Sequence, residues 1–342
     1  MPMGFLMDLT RRTMTMAGGA MAALGFGSAA RAQTLAGPFG DALAYSDERG
    51  GVSVLIQRGT EVLAEAYANG GAPERAWAIH SGTKSFSGVL ACHLVREGWL
   101  DLDAPVSALI TEWQADPAKA AITTRELLDL TSGCVAGGFG APPTYEEAVA
   151  APLATPPGSH FEYNPGPFQV WGEMVRRMLE SRGYLPDVLG FMRSRVIDPA
   201  GVTVADWRLH GGQPTLPTGV QMTAREWAKW GRWVLDGAGG ADLTPCWTGS
   251  GANPGYGLSW WLLRPGLIAP EARSGMGDDG AEMAERGEDI RLAAGAGEQK
   301  LYLLPQRDLL VVRQSRGFGS ALAGFTPGWS DTEFMRRVLR GL

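Results

Sequence analysis

Apolar and polar positions follow two rhythms in this chain, a strand-like one near its ends and a helical one between. Gly51 to Gln57 (GVSVLIQ) and Glu61 to Ala68 (EVLAEAYA) are apolar-rich runs around Arg58-Gly59, which predicts a hairpin. Lys300 to Leu304 (KLYLL) and Leu309 to Arg313 (LLVVR) flank Pro305-Gln306-Arg307-Asp308, a second hairpin with turn-forming residues at its tip. In the middle, Thr83 to Glu97 carries Phe86, Val89, Leu90 and Leu94 at helical spacing and stops at Gly98. Thr123-x-x-Glu126 is a capping-box pattern ahead of Leu127, Leu128 and Leu130, and Thr223-x-x-Glu226 repeats it before Trp227, Trp230 and Val234. Phe168 to Ser181 is a further amphipathic helix stopped by Gly183, and a last one starts at Asp331, capped by Ser330 with Glu333 three residues on. Arg264 to Arg291 is rich in Gly, Ala and acids with little apolar periodicity, and reads as a long loop and a candidate lid.

Strands at both ends around a helical middle predict an α+β fold. One antiparallel sheet would be built jointly by N- and C-terminal segments, flanked by helices and interrupted by an inserted, mainly helical domain. The boundaries implied are an α/β lobe from about 40–85 and 206–342 and a helical lobe of about 86–205, one catalytic unit over 33–342 with its site between the lobes. The chain shows no internal repeat.

Composition narrows the class. With 342 residues, 45% hydrophobic and 19% charged, the chain can bury one large core or two modest ones. Residues 1–32 read as an export signal. Arg11-Arg12 follow a polar start, a weakly apolar stretch runs from Met14 to Ala29, and Ala30-Arg31-Ala32 offers a small-x-small cleavage site. The paired arginines point to the twin-arginine route and a periplasmic or secreted product. The alternative, a membrane anchor, is disfavoured by a run that is short and broken by glycine; no membrane span is expected after cleavage. The segment carries three arginines against Asp8, so its removal would take the net charge from −6 to −8, which argues against nucleic acid as a partner. Three cysteines (Cys92, Cys134, Cys246) are too few for a disulfide framework, and four scattered histidines (His80, His93, His160, His210) lack metal-ligand spacing. Neither a metal nor another cofactor is expected, and the oligomeric state is not indicated.

The candidate chemistry is Ser81-Gly82-Thr83-Lys84, where a strand-like segment gives way to a helix. Three residues apart, the hydroxyl and the amine would share one helical face. A serine hydroxyl is a weak nucleophile near neutral pH, and a desolvated lysine with a lowered pKa can activate it. The pattern should occur about once by chance in a chain of this length, but only four lysines are present and Ser81 is the only serine with one at that offset. The bland alternative is a helix N-terminus with Ser81 as cap, although a first-turn lysine opposes the helix dipole.

From His80 through Leu130 the segments HSGTKSFSG, LVREGWLDLDAPVSALITEW and ITTRELLDLTSG resemble the serine β-lactamase and penicillin-binding-protein superfamily. The likeness is to its class C-like branch, with family VIII carboxylesterases and 6-aminohexanoate-dimer hydrolases, and it spans most of the chain after residue 32. It implies Ser81 as nucleophile and Lys84 as its activating partner. Pro157-Gly158-Ser159-His160-Phe161-Glu162-Tyr163-Asn164-Pro165 resembles the family's Tyr-x-Asn segment, with the asparagine one place early. The resemblance implies a catalytic Tyr163, acting as general base or proton shuttle if a nearby Lys⁺ lowers its pKa; Asn164 is a ligand contact or a turn residue. Where the family has Lys-Thr-Gly on an edge strand, this chain has Gly295-Ala296-Gly297 followed by Glu298. These four are the implied substrate-binding segment, with oxyanion donors from the N–H groups of Ser81 and of a residue near Gly297 or Glu298. The lost cation leaves a substrate carboxylate without an anchor unless Arg313 or Arg291 compensates. Thr218 to Trp227 and Gly255 to Trp261 also resemble family segments and read mostly as scaffold, although Trp260-Trp261 could line an acyl or alcohol pocket.

The leading expectation is an exported serine hydrolase working through an acyl-enzyme on an ester or small amide. The alternatives are a β-lactamase or D,D-peptidase, and a binding or regulatory module on the same fold. A module is distinguished by geometry, since an enzyme requires Lys84 Nζ and the Tyr163 hydroxyl to converge on Ser81 Oγ.

Overall fold

Two hairpins from opposite ends of the chain meet in one sheet. In the computed structural model, which describes residues 37–138, 140–267, 280–316 and 328–342, helix α1 (Gly40–Glu48) leads into β1 (Gly51–Arg58) and β2 (Glu61–Tyr67). Strand β3 (Trp77–Ala78) and a 3₁₀ turn (His80–Lys84) precede α2 (Ser85–Arg96). Helices α3 (Pro117–Ala120), α4 (Thr124–Leu128), α5 (Tyr145–Ala150), α6 (Gly166–Ser181) and α7 (Val188–Met192) follow. Short strands β4 (Asp206–Trp207), β5 (Leu209–His210), β6 (Gln213–Pro214) and β7 (Val220–Met222) lead to α8 (Ala224–Leu235). Then come β8 (Trp261–Leu263), α9 (Gly280–Glu285), β9 (Ile290–Gly295), β10 (Gln299–Leu304), β11 (Leu309–Ser315) and α10 (Asp331–Arg340).

The main sheet has six strands in the order β2-β1-β11-β10-β9-β8, each neighbouring pair antiparallel. Its central strands are buried on both faces because α1, α9 and α10 cover one side and α8 with the helical segments covers the other. The period of two sorts the side chains. Leu301, Leu303, Leu310 and Val312 face the core containing α2, α6 and α8, whereas Tyr302, Leu304, Leu309 and Val311 face the core containing Phe334 and Val338 of α10. Among the described residues, every strand lies outside residues 79–205, so the helical middle is inserted between β3 and β4.

Local signals act where expected, with two exceptions. The Thr123–Glu126 capping box closes in both directions, and Ser330 caps α10 through the Glu333 amide. At α8 only half the box forms. Thr223 accepts from the Glu226 amide, but the Glu226 carboxylate accepts instead from the Thr203 amide at 2.6 Å and pairs with Lys229 at 2.7 Å. The second exception is the loop expected from Arg264 to Arg291. Part of it lies outside the described residues, but Gly280–Glu285 is helical and Ile290 onward is β9. That strand is six residues rich in Ala and Gly, too short and too small to show a period. The segment 1–32 also lies outside the described residues. No helix among them is long and apolar enough to cross a membrane.

Helix α2 packs tightly on the Cys246–Leu258 region, where Cys92 and Cys246 Sγ stand 3.7 Å apart, both buried. A Cβ on Gly88 would sit 2.2 Å from the Leu258 carbonyl oxygen. Ala is favoured over Gly inside a helix by about 1 kcal/mol, but an overlap that close outweighs it. Gly88→Ala is therefore expected to destabilise the fold by ~2 kcal/mol, read as a lower midpoint in urea.

Candidate active site

The turn carrying Ser81 is clamped before any catalytic group is considered. Ile79 N donates to Val220 O at 3.0 Å, Val220 N donates to Thr83 Oγ1 at 3.2 Å, and Gly82 N donates back to Ile79 O at 3.0 Å. Gly82 must be glycine, because a Cβ there would lie 2.7 Å from the buried Trp227 ring. His80 adopts φ +46°, a left-handed conformation that costs a non-glycine residue on the order of 1 kcal/mol and is held by such surroundings. The α-helix begins only at Ser85, so Ser81 is not its cap. Residues three apart in a 3₁₀ turn eclipse each other, which stacks Lys84 over Ser81 and brings Nζ to 3.1 Å from Oγ.

Lys84 is 4% exposed. Its Nζ donates to the Pro217 carbonyl at 2.9 Å and lies 4.8 Å from the Tyr163 ring centroid and 5.4 Å from that of Phe168. Among the described residues no carboxylate pairs with it. Burial without a counter-ion penalises the ammonium, and the pKa falls to about 7.

Tyr163 enters from the segment ahead of α6 and stacks on Trp261 at 5.0 Å between ring centroids. Desolvation raises its pKa, and hydrogen bonding with the Ser81 and Trp261 side chains offsets this only in part. The condition set for a phenol acidified by Lys⁺ is not what burial favours here, since desolvation holds the Tyr163 phenol above its usual range. Lys84, not Tyr163, has the proton affinity of a base near neutral pH.

The remaining expected residues divide. Asn164 and Ala296 line a cavity of about 120 Å³ together with His80, Ser81, Lys84, Tyr163, Pro217 and Thr218. Asn164 Oδ1 accepts from the Ala136 amide at 3.0 Å and the Gly166 amide at 2.8 Å, so it is a turn residue whose amide nitrogen is the end left for a ligand. Gly295 backs the nucleophile turn, since a Cβ there would lie 2.0 Å from Ile79 O. Gly297 and Glu298 fall outside the cavity lining. The Gly297 carbonyl accepts from Ser315 Oγ, and the Glu298 carboxylate pairs with Lys300 at 3.1 Å. Neither proposed arginine reaches the cavity. Arg313 is spent on Ser46 Oγ, Arg49 O and Glu298 O, and Arg291 lies over Trp247 and pairs with Asp289. Trp260 is core, whereas Trp261 is half-buried beside Tyr163. Sequence reading assigned no role to His80, to Thr218 or to the Pro217 carbonyl. The last had no signal, because a backbone oxygen is present at every residue.

A hydroxyl in contact with a counter-ion-free amine, on an antiparallel sheet with a helical insert, is the arrangement of a serine hydrolase. The chain belongs to the β-lactamase family, whose model, described as Beta-lactamase, matches residues 39–324. Solved structures share the fold at low identity. A β-lactamase candidate from Bacteroides dorei DSM 17855 is 16% identical with a TM-score of 0.67 over 89% of this chain and 97% of its own. The hydrolase EstCE1, with promiscuous acyltransferase activity, is 16% identical with a TM-score of 0.64 over 90% and 98%. A 6-aminohexanoate-dimer hydrolase candidate from Bacillus anthracis is 15% identical with a TM-score of 0.60 over 86% and 79%. No curated protein matches the chain in sequence.

The buried amine has a stability consequence with a definite sign. Lys84 titrates at about 7 when folded and near 10.5 otherwise. Below both values each state is protonated and the fold bears the full cost of a buried ammonium. Between them the unfolded chain holds a proton the folded one lacks, so stability rises with pH across that window. Lys84→Met should therefore raise the melting temperature by several degrees at about pH 6, a gain that shrinks toward about pH 10.

Proposed function

We propose that the protein is an exported serine hydrolase that cleaves a small, uncharged ester through an acyl-enzyme on Ser81. The observation that carries this reading is Lys84 Nζ at 3.1 Å from Ser81 Oγ, with its pKa lowered to about 7. In the acylation step the amine takes the Ser81 proton as Oγ bonds to the substrate carbonyl carbon. The backbone amides of Ser81 and of the Ala296–Gly297 turn are the donors proposed for the oxyanion. Collapse of the intermediate expels the alcohol, which takes a proton. Water then attacks the acyl-enzyme, releasing the acid and restoring the Ser81 hydroxyl.

The surroundings favour an ester over a β-lactam or D-alanyl peptide. Among the described residues no arginine lines the cavity, and its one lysine is the proposed base, which leaves a substrate carboxylate without a described cation. A cavity of about 120 Å³ is also small beside the ~300–1,000 Å³ of drug-sized sites. Lys84 bonded to Ser81, with Tyr163 lining the same cavity, supports a hydrolase over a binding module. The hydrolase and acyltransferase activity attributed to EstCE1 agrees with acyl-enzyme chemistry. Export rests on Arg11-Arg12 and Ala30-Arg31-Ala32.

Incubation with a fluorophosphonate should add one adduct to Ser81 by mass spectrometry and none to Ser81→Ala; an unlabelled protein removes this reading. With a p-nitrophenyl ester, kcat/KM should fall below an acid limb centred near pH 7, as Lys84 protonates, and Lys84→Met should lose about a thousandfold. Turnover of β-lactams alone, with esters inert, would reverse the substrate assignment. N-terminal sequencing of the exported protein should begin at Gln33, and retention of residues 1–32 would favour an anchored form.

A further inference from the structure

We infer that Cys92 and Cys246 form a disulfide, a covalent staple between the helix that follows the nucleophile turn and the segment that leads to β8. The inference does not depend on the reaction at Ser81. The two Sγ atoms stand 3.7 Å apart, with Cys92 2% exposed and Cys246 fully buried. A disulfide holds its sulfurs at about 2.05 Å, so closing the gap moves each sulfur by roughly 0.8 Å.

Such a bond also requires two backbones that pass close together. Glycines on both sides of the contact supply that approach. Gly88 lies one helical turn before Cys92, on the same face of α2. A Cβ on Gly88 would sit 3.3 Å from Cys246 Sγ and 2.2 Å from Leu258 O, and a Cβ on Gly257 would sit 2.2 Å from Cys246 O. Cys246 itself is in a short 3₁₀ turn, Thr244–Trp247, whose Trp247 packs edge-on against Trp260 at 5.4 Å.

The position of the pair gives the bond its effect. Cys92 lies near the start of the helical insert and Cys246 beyond its end, 154 residues later. The bond therefore ties the two borders of the insert together. Closing so long a loop takes much of its freedom from the unfolded chain. In the folded chain it holds α2, which continues directly from Ser81 and Lys84, against the segment that runs on to Trp261 beside Tyr163.

The oxidant is a small-molecule or protein disulfide, R–S–S–R. One cysteine thiolate attacks it and expels RS⁻, and the second cysteine sulfur then displaces the other RS⁻ from the mixed disulfide. Two protein thiols lose two protons and two electrons, and R–S–S–R becomes two RSH. Burial pushes the Cys246 thiol well above its usual range, which withholds the thiolate while the fold is closed. Exchange thus runs while this contact is open, during folding or local unfolding. Outside the cytoplasm, where the export reading puts the protein, such oxidants are common.

The test unfolds the reduced full-length protein in urea, refolds it in a mixture of oxidised and reduced glutathione, and counts thiols by alkylation in guanidinium and mass spectrometry. The expected product is lighter by two hydrogens, has Cys134 as its one alkylated cysteine, and yields the Cys92 and Cys246 peptides joined. Three alkylated cysteines, a glutathione adduct on Cys92 or Cys246, or a bridge to Cys134 overturns the inference. Where the reduced chain does not refold, oxidation of the native protein by the same mixture, in urea below its midpoint, reads the same count. The bridged protein should melt several degrees above the same protein after reduction. Cys246→Ala, or Cys92→Ala if that variant does not fold, should melt at one temperature in either redox state. A bridged protein that melts no higher than the reduced one also overturns the staple.

Discussion

An amine kept out of water without a counter-ion is the constraint on which this molecule's chemistry depends. A buried ammonium is costly unless paired, and the fold supplies Lys84 with a carbonyl, two aromatic faces and a serine hydroxyl, but with no carboxylate among the described residues. The result is a base near neutrality, obtained by withholding a partner. Lys300 makes the contrast, because it is buried as deeply but faces Glu298 and Asp331, which raise its pKa. Two lysines of similar burial thus have opposite proton affinities, and the neighbouring acids decide which one can do acid–base work.

Holding that amine requires the turn beneath it to be rigid from several sides. Backbone bonds from Val220 and the Trp227 ring against Gly82 come from one distant part of the chain, and the close approach of Gly295 to Ile79 O from another. Together they sustain the left-handed φ at His80. Gly295 has a steric reason to be glycine, since no side chain fits between β9 and the nucleophile turn. Glycine at this position lets β9 close on the nucleophile turn.

The sheet and its long helices were legible from sequence because their periods run for many residues and their ends carry caps. Ser81 and Lys84 were legible because spacing alone brings them together in a helix or a 3₁₀ turn. The rest was hidden for identifiable reasons. Strand β9 is too short and too rich in small residues to show a period. Period-two alternation requires one of Trp260 and Trp261 to face the core, but only the pairing register says which. The Pro217 carbonyl is backbone, and the direction of the Tyr163 pKa depends on how deeply its ring is desolvated.

The sheet that joins both ends of the chain also sets an order of events during synthesis. Strand β1 pairs on one side with its own hairpin partner β2, but its other edge is filled only by β11, with Val54 opposite Arg313 and Leu55 opposite Val312. A ribosome must therefore deliver nearly the whole polypeptide before that edge closes. Until then an apolar strand stands open to neighbouring chains. Such non-local pairing makes for slow folding, so the growing chain should depend on chaperones until its last strands emerge.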